Sequence, residues 1–265
     1  MDEIKTSMES RTPREIAKLV ETAGVSKAQA NATQFLLLSI LAGAFISMGA
    51  IFYAVLITGS NLGFGLTRMV GGVGFSMGLI LVVVAGAELF TGNNLIAMAW
   101  ASRLVSTTAL LRSWVLAYLG NVIGCLLSVW LVVWADVDRL AEGAVAQTLV
   151  NIAEAKLQLP WDVALARGIL CNALVCLAVW VAMAGRGVAD KILAIILPVS
   201  AFVVLGLEHS IANWFFLPIG LLLGVEGIGT TAAVATNLVA VTAGNMIGGT
   251  ILVAGIYWLA YLRRS

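Results

Sequence analysis

Long runs without a charged residue constrain this chain more than any other feature. None occurs from Ala28 to Thr67, Met69 to Ala87, Ser113 to Ala135, Gly168 to Gly185, Ile192 to Leu207 or Gly227 to Leu262. A helix crossing a bilayer needs roughly 17–25 predominantly apolar residues, and these runs are of that order. Composition agrees, with 61% hydrophobic and only 11% charged residues. Soluble domains sit near ~45–50% apolar and about 25% charged. A water-soluble core of this length cannot hide so much apolar surface. We place six spans at about residues 33–58, 69–100, 110–134, 163–184, 190–222 and 232–261. The second and fifth are too long for simple helices and carry polar interruptions. The net charge of +1 gives no basic surface for nucleic acid. Cys125, Cys171 and Cys176 lie in apolar stretches without zinc or disulfide spacing, so they read as small buried hydrophobes.

Residues 1–30 are polar and carry one helix signature. Thr12 suits an N-cap, Pro13 the first helical position and Glu15 a capping box. Ile16, Leu19 and Val20 then share a face, and Gly24 is the expected stop. This predicts a short amphipathic helix on the membrane surface or against a neighbouring subunit. The first thirty residues mix acids and bases, and the first apolar run is too long for a signal peptide core. Orientation follows from the basic residues. Lys5, Arg11, Arg14, Lys18, Lys27, Arg103, Arg112, Arg186, Lys191, Arg263 and Arg264 fall on one side, and Arg68, Arg139, Lys156 and Arg167 on the other. That bias predicts a multi-pass inner-membrane protein with both termini cytoplasmic. The long third loop, with Asp136, Asp138, Glu142 and Glu154, then faces outside.

The chain also repeats itself. Glu88-Leu-Phe-Thr-Gly-Asn93 and Glu208-His-Ser-Ile-Ala-Asn213 both read E-x-x-x-x-N. Gly120-Asn121-Val-Ile-Gly124 and Gly244-Asn245-Met-Ile-Gly248 both read G-N-x-I-G. The offsets are 120 and 124 residues. We therefore expect an all-α membrane fold of two inverted three-span repeats, residues 31–135 and 160–262, between the N-terminal helix and a 263–265 tail. Paired polar interruptions point to broken helices around a transport site near the midplane.

Glu88, Glu208 and His209 are ionisable groups inside otherwise apolar spans, where such groups are costly and are functional candidates. The glutamates read as structural, accepting backbone N–H groups freed where a helix breaks. Asn93, Asn213, Asn121 and Asn245 belong to the same polar interruptions. His209, the only histidine, can hydrogen-bond an anion or carry charge near neutral pH. Thr91 lies in the matching interruption, where its hydroxyl could face His209. Asn172 sits in a wholly apolar run and needs partners.

At these positions the chain resembles the formate/nitrite transporter family. The segments that carry the resemblance are Gly86-Ala-Glu-Leu-Phe-Thr91, Cys171-Asn172-Ala-Leu-Val-Cys-Leu-Ala-Val-Trp180 and Gly206-Leu-Glu-His-Ser-Ile-Ala-Asn213, together with the Gly-Asn pairs. The resemblance covers about residues 30–260. It implies a homopentamer of aquaporin-like protomers, each with its own pore for formate, nitrite, hydrosulfide or a related small monoacid. It places the pore's central histidine on His209, the loop threonine on Thr91 and the pore asparagine on Asn172. It places constrictions on Phe75 and Leu79 on one side, and on Leu89, Phe90 and Phe202. It puts vestibule cations at Lys156 and Arg167. The stretch around span four and Gly185–Lys191 is most similar to formate channels. Thr91-Gly92-Asn93-Asn94 departs from their Thr-Ser pattern and is similar to other branches, so nitrite and hydrosulfide stand as alternative substrates.

These readings predict a passive pore, without cofactor or metal, in which apolar rings strip water and polar donors offset the cost. A proton-coupled carrier is the alternative transport mode. A haem anchor needs two axial ligands and this chain offers one histidine. A metallohydrolase needs a ligand cluster, and the sequence has none.

Overall fold

The computed structural model describes residues 10–224 and 230–263, and among them there are helices and turns but no strand. Lys5 and Arg264, both counted in the charge bias, lie outside the described residues, as do the rest of residues 1–9 and the last position of the tail.

Helix α1, Pro13–Ala28, opens with a full capping box. Thr12 Oγ1 accepts the Glu15 N–H at 3.4 Å, and Glu15 Oε2 accepts the Thr12 N–H at 2.7 Å. The helix runs past the expected stop at Gly24. That glycine is buried, and a Cβ there would meet the Ala99 side chain at 3.2 Å. It permits close packing and does not end the helix. Ile16, Ala17, Val20, Gly24 and Ala28 form the buried face, while Leu19 is 37% exposed.

Four of the expected spans are continuous helices, or nearly so. They are α2 (Ala32–Ile57), α5 (Thr107–Trp134), α7 (Trp161–Ala182) and α10 (Thr230–Ile247). The last continues through a π segment, Gly248–Gly255, into α11 (Ile256–Tyr261). The two long spans are broken. The first is α3 (Gly63–Leu81) with a π turn at Val82–Gly86, then an irregular stretch, a 3₁₀ turn at Gly92–Ile96 and α4 (Ala97–Ala101). The second is α8 (Val188–Val204) followed, after a five-residue gap, by α9 (Ser210–Leu223). Helix α3 starts six residues before the expected boundary at 69 and takes in Arg68. That charge is tolerated because its guanidinium bonds backbone carbonyls of α8.

The long third loop, for which the sequence reading gave no element, contains α6, Ala144–Leu157. Val145, Leu149, Val150, Ala153 and Leu157 fall on one buried face. Helical periodicity was therefore present in a segment whose flanking acids suggested a solvated loop.

Helix α2 packs on α5, and α7 on α10, through small residues. A Cβ on Gly124 would run into the Ile40 carbonyl, and one on Gly248 into the Ile169 carbonyl. Glycine lets these backbones touch, as is common between membrane helices. Among the described residues five helices, counting the π-extended segments, are long and apolar enough to cross a membrane, and α9 is a shorter apolar helix. Large apolar side chains such as Leu119, Leu127 and Trp130 stand outward on α5, as a lipid-facing surface requires. Helix α1 and the end of α11 are neighbours at one end of the bundle.

Candidate functional site

The two helix breaks are built alike, residue for residue. Gly86 and Gly206 take positive φ, 83° and 67°. The next N–H bonds back five residues in each, Ala87 to Val82 and Leu207 to Phe202. The chain then runs on with Glu88 N–H donating to the Leu38 carbonyl and Glu208 N–H to the Arg167 carbonyl. Asn121 serves the first break, accepting the Phe90 N–H at 2.8 Å and donating to the Ser39 and Glu88 carbonyls. Asn245 serves the second, accepting the Ser210 N–H at 2.9 Å and donating to the Gly168 and Glu208 carbonyls. The freed backbone groups thus go to asparagines, which corrects the expectation that the two glutamates would take them. An amide both donates and accepts, whereas an ionised carboxylate only accepts.

Each glutamate instead pairs with a lysine. Glu208 accepts Lys156 Nζ with both oxygens, at 3.0 and 3.1 Å, and Asn213 Nδ2 at 2.7 Å. Glu88 accepts Lys27 Nζ at 2.7 Å and Asn93 Nδ2 at 2.9 Å. Lys27 lies in α1 and Lys156 in α6, the two amphipathic helices that precede α2 and α7. Sequence reasoning missed Lys27 as a site residue. The available signal was positional, a lysine near the C-terminus of each amphipathic helix, 129 residues apart.

Between the breaks stand Thr91 and His209, 0% and 3% exposed, with Thr91 Oγ1 at 2.9 Å from His209 Nε2. The other ring nitrogen, Nδ1, accepts the Ala212 N–H at 3.1 Å and caps α9. An acceptor Nδ1 carries no hydrogen, so the neutral ring holds its hydrogen on Nε2 and donates it to the threonine. The Thr91 hydroxyl hydrogen is thereby left to donate elsewhere. Asn172 is arranged differently. Its amide nitrogen donates to the Thr91 carbonyl, Asn94 Oδ1 and the Asn245 carbonyl at 3.2, 2.8 and 2.7 Å. An amide has two hydrogens, so both are committed to holding the breaks together.

A cavity of ~340 Å³ reaches His209 from one side, lined by Phe75, Phe202, Arg68, Lys156 and Arg167 among others. A second, ~280 Å³, approaches from the α1 side along Leu79, Leu89, Glu88, Asn93 and Lys27. Phe75 and Phe202 meet edge-to-face at 5.5 Å, and Phe202 lies parallel to the His209 ring at 6.1 Å. Phe75 and Leu79, expected on one side together, are one turn apart on α3 and line opposite cavities. Phe90 lines neither cavity. It packs against Tyr118 at 5.0 Å, because the break directs Leu89 and Phe90 to different neighbours. Arg68, which sequence reasoning did not single out, bonds the Val203 and Val204 carbonyls at 2.6 and 2.9 Å. Arg167 bonds the Gly206 carbonyl at 3.3 Å.

Residues 14–259 match the family model for the formate/nitrite transporter. The chain belongs to the formate/nitrite transporter family. It is 38% identical to the formate channel FocA of Escherichia coli (strain K12), over 96% of this chain and 95% of that protein. A solved structure titled "Pentameric formate channel with formate bound" is 37% identical with a TM-score of 0.79, covering 88% of this chain and 98% of that one. An "FNT family ion channel" is 29% identical with a TM-score of 0.85, covering 93% and 98%. The family and the apolar helices together make this a multi-pass membrane transport protein rather than an enzyme.

Proposed function

We propose that this protein is a passive channel for formate, and that each protomer conducts from one cavity to the other past His209 and Thr91, which separate them. The carrying observation is the buried, hydrogen-bonded His209–Thr91 pair, with one cavity reaching His209 and a second lined by Leu89, Gly92 and Asn93, the chain on either side of Thr91. The formate channels among its relatives and structural neighbours support the choice of anion.

An ionised carboxylate in an apolar septum costs several kcal/mol, roughly, even after relaxation. A hydrogen bond to a charged group returns about 1.5–3 kcal/mol. The Thr91 hydroxyl, polarised by the donating His209 Nε2–H, offers such a bond. Transfer of a proton to formate offsets the rest, so that the neutral acid passes Phe75, Phe202, Leu79 and Leu89. That proton enters from the bulk solution as hydronium relayed through cavity water, and it returns to solution on the far side, because neither a neutral imidazole nor a neutral water is acidic enough to protonate formate. His209 therefore acts by orienting Thr91, and Asn172 and Asn94 act by holding the loop that carries Thr91.

Lys156 and Lys27 each face a glutamate, so each pair is close to neutral overall. The net positive potential at the outer mouth then comes from Arg68 and Arg167, which face no carboxylate among the described residues. Focused positive potential raises the local concentration of a small anion.

The matching bond sets of the breaks support two inverted halves. We extend each half to include its leading amphipathic helix, α1 or α6, since Lys27 and Lys156 occupy equivalent places. The pentameric neighbour supports a homopentamer in the bilayer, and the basic bias supports cytoplasmic termini. Parallel uptake of formate, nitrite and hydrosulfide by proteoliposomes tests the substrate. Formate flux above the other two supports the reading, and a preference for nitrite or hydrosulfide overturns it.

A further inference from the structure

At the end of the bundle that holds α1, a second kind of site opens away from the pore. A cleft of ~1060 Å³ lies between the outward face of α1, the turn after α4 and the last residues of α11. Its wall carries Arg14 and Lys18 from α1, Arg103 from the turn and Arg263 from the chain end. All four are exposed, and none has an ion-pair partner among the described residues. The one acid in the wall, Glu21, is held by the Ser102 hydroxyl, which also accepts the Trp258 indole N–H at 2.9 Å. Arg103 is held in the left-handed region at φ 61°, a conformation uncommon for a long side chain.

Four cations converge on one cleft whose wall holds a single carboxylate, Glu21, and the excess of positive charge favours an anion that completes it. The surroundings indicate which anion. Trp258 and Tyr261 stand at the end of the last span, where amphipathic aromatic side chains sit at headgroup level. The cleft wall also carries two apolar side chains, Leu262 and Leu104, the latter 54% exposed. A basic cleft with aromatic and apolar side chains in its wall, at the end of a membrane span, fits a molecule with an anionic phosphate head and acyl chains. A free phosphate compound uses the first feature and leaves the second without purpose.

We propose that this cleft binds the headgroup of an anionic glycerophospholipid, one per protomer. The phosphate would bridge α1 to the turn after α4 and to the end of the last span. It would thereby tie down the helix that carries Lys27 to the inner cavity. The site depends on no assumption about what the pore conducts.

The test is native mass spectrometry of the full-length assembly, purified in detergent and supplied with phosphatidylglycerol or with phosphatidylcholine of identical chains. Phosphatidylglycerol should remain bound at up to one per protomer, with at least tenfold preference over phosphatidylcholine. Arg103→Gln/Arg263→Gln should abolish the preference, while Lys191→Gln, a charge loss outside the cleft, should keep it. Hydrogen exchange in nanodiscs gives an independent readout. The amides of residues 13–28 should exchange more slowly with phosphatidylglycerol than with phosphatidylcholine, and the difference should vanish in the double variant. Equal retention of the two lipids, retention unaltered in the double variant, or displacement of phosphatidylglycerol by equimolar inorganic phosphate would each overturn the proposal.

Discussion

His209 Nε2 lies 2.9 Å from the Thr91 hydroxyl while Nδ1 of the same ring accepts the Ala212 N–H at 3.1 Å. The second contact decides the direction of the first. With Nδ1 occupied as an acceptor, Nε2 is the donor, and the threonine hydrogen is not committed to the imidazole.

That assignment is open to direct spectroscopy, because the chain has a single histidine. Nitrogen-15 spectra of the assembly in lipid at pH 7.5 should give one protonated and one bare ring nitrogen, with Nε2 protonated. A ring protonated at Nδ1 would reverse the hydrogen bond and remove the free hydroxyl hydrogen.

His209→Asn separates the capping role from the pore role. Asparagine is a good N-cap and can accept the same backbone N–H, but it cannot reach Thr91 as the imidazole does. The assembly should keep its mass and thermal stability, while formate flux falls at least tenfold. Unaltered flux would take His209 out of conduction.

The two lysine–glutamate pairs should differ in weight. Side-chain exposure is 13% and 4% for Lys156 and Glu208, against 33% and 13% for Lys27 and Glu88. Breaking a buried pair by removing one partner costs about 3–5 kcal/mol, because the other charge is stranded. Solvent screening reduces that cost where a partner is exposed. Lys156→Met should therefore lower the unfolding temperature more than Lys27→Met, and Lys156→Met/Glu208→Leu should recover part of the loss. Equal effects of the two single variants would contradict this.

Glu15 gives a pH dependence at the N-terminal helix. Hydrogen bonds from the Thr12 backbone, and then from its side chain, hold the Glu15 carboxyl below the usual carboxylate range. A depressed folded value means the cap is at full strength above the ordinary carboxylate range and is lost as pH falls through the depressed value. Exchange of the first α1 amides, corrected for intrinsic rates, should accelerate on acidification. Glu15→Gln, which keeps the capping geometry without titrating, should flatten that response.

Much of this architecture can be read from the chain, and the part that cannot has a common cause. The Glu88–Asn93 and Glu208–Asn213 spacings stand in the sequence because each pair closes on itself within one break. The lysines that complete them come from 61 and 52 residues away, which no local pattern encodes. The Gly-Asn pairs were visible as a repeat, yet their task of serving the broken backbones depends on the fold bringing α5 and α10 to them. Asn172 was visible as a polar residue in an apolar run. Only its three acceptors reveal that its donors are spent on the protein itself. Helix α6 was obscured because acids flank an apolar face that is buried only after folding.

Thr91→Val bears most directly on the proposed pore. Valine keeps the side-chain shape and removes the hydroxyl, and losing one hydrogen bond to an anion corresponds to about a 10–100-fold change in rate. The measurement is formate uptake into proteoliposomes by wild type, Thr91→Val and Thr91→Ser at external pH 5.5 and 7.5. Wild-type flux should exceed that of protein-free vesicles and rise at the lower pH. Thr91→Ser should stay close to it, and Thr91→Val should fall at least tenfold with the assembly intact. Formate uptake equal in wild type and Thr91→Val, or no greater than in protein-free vesicles, would contradict a pore centred on Thr91 and His209.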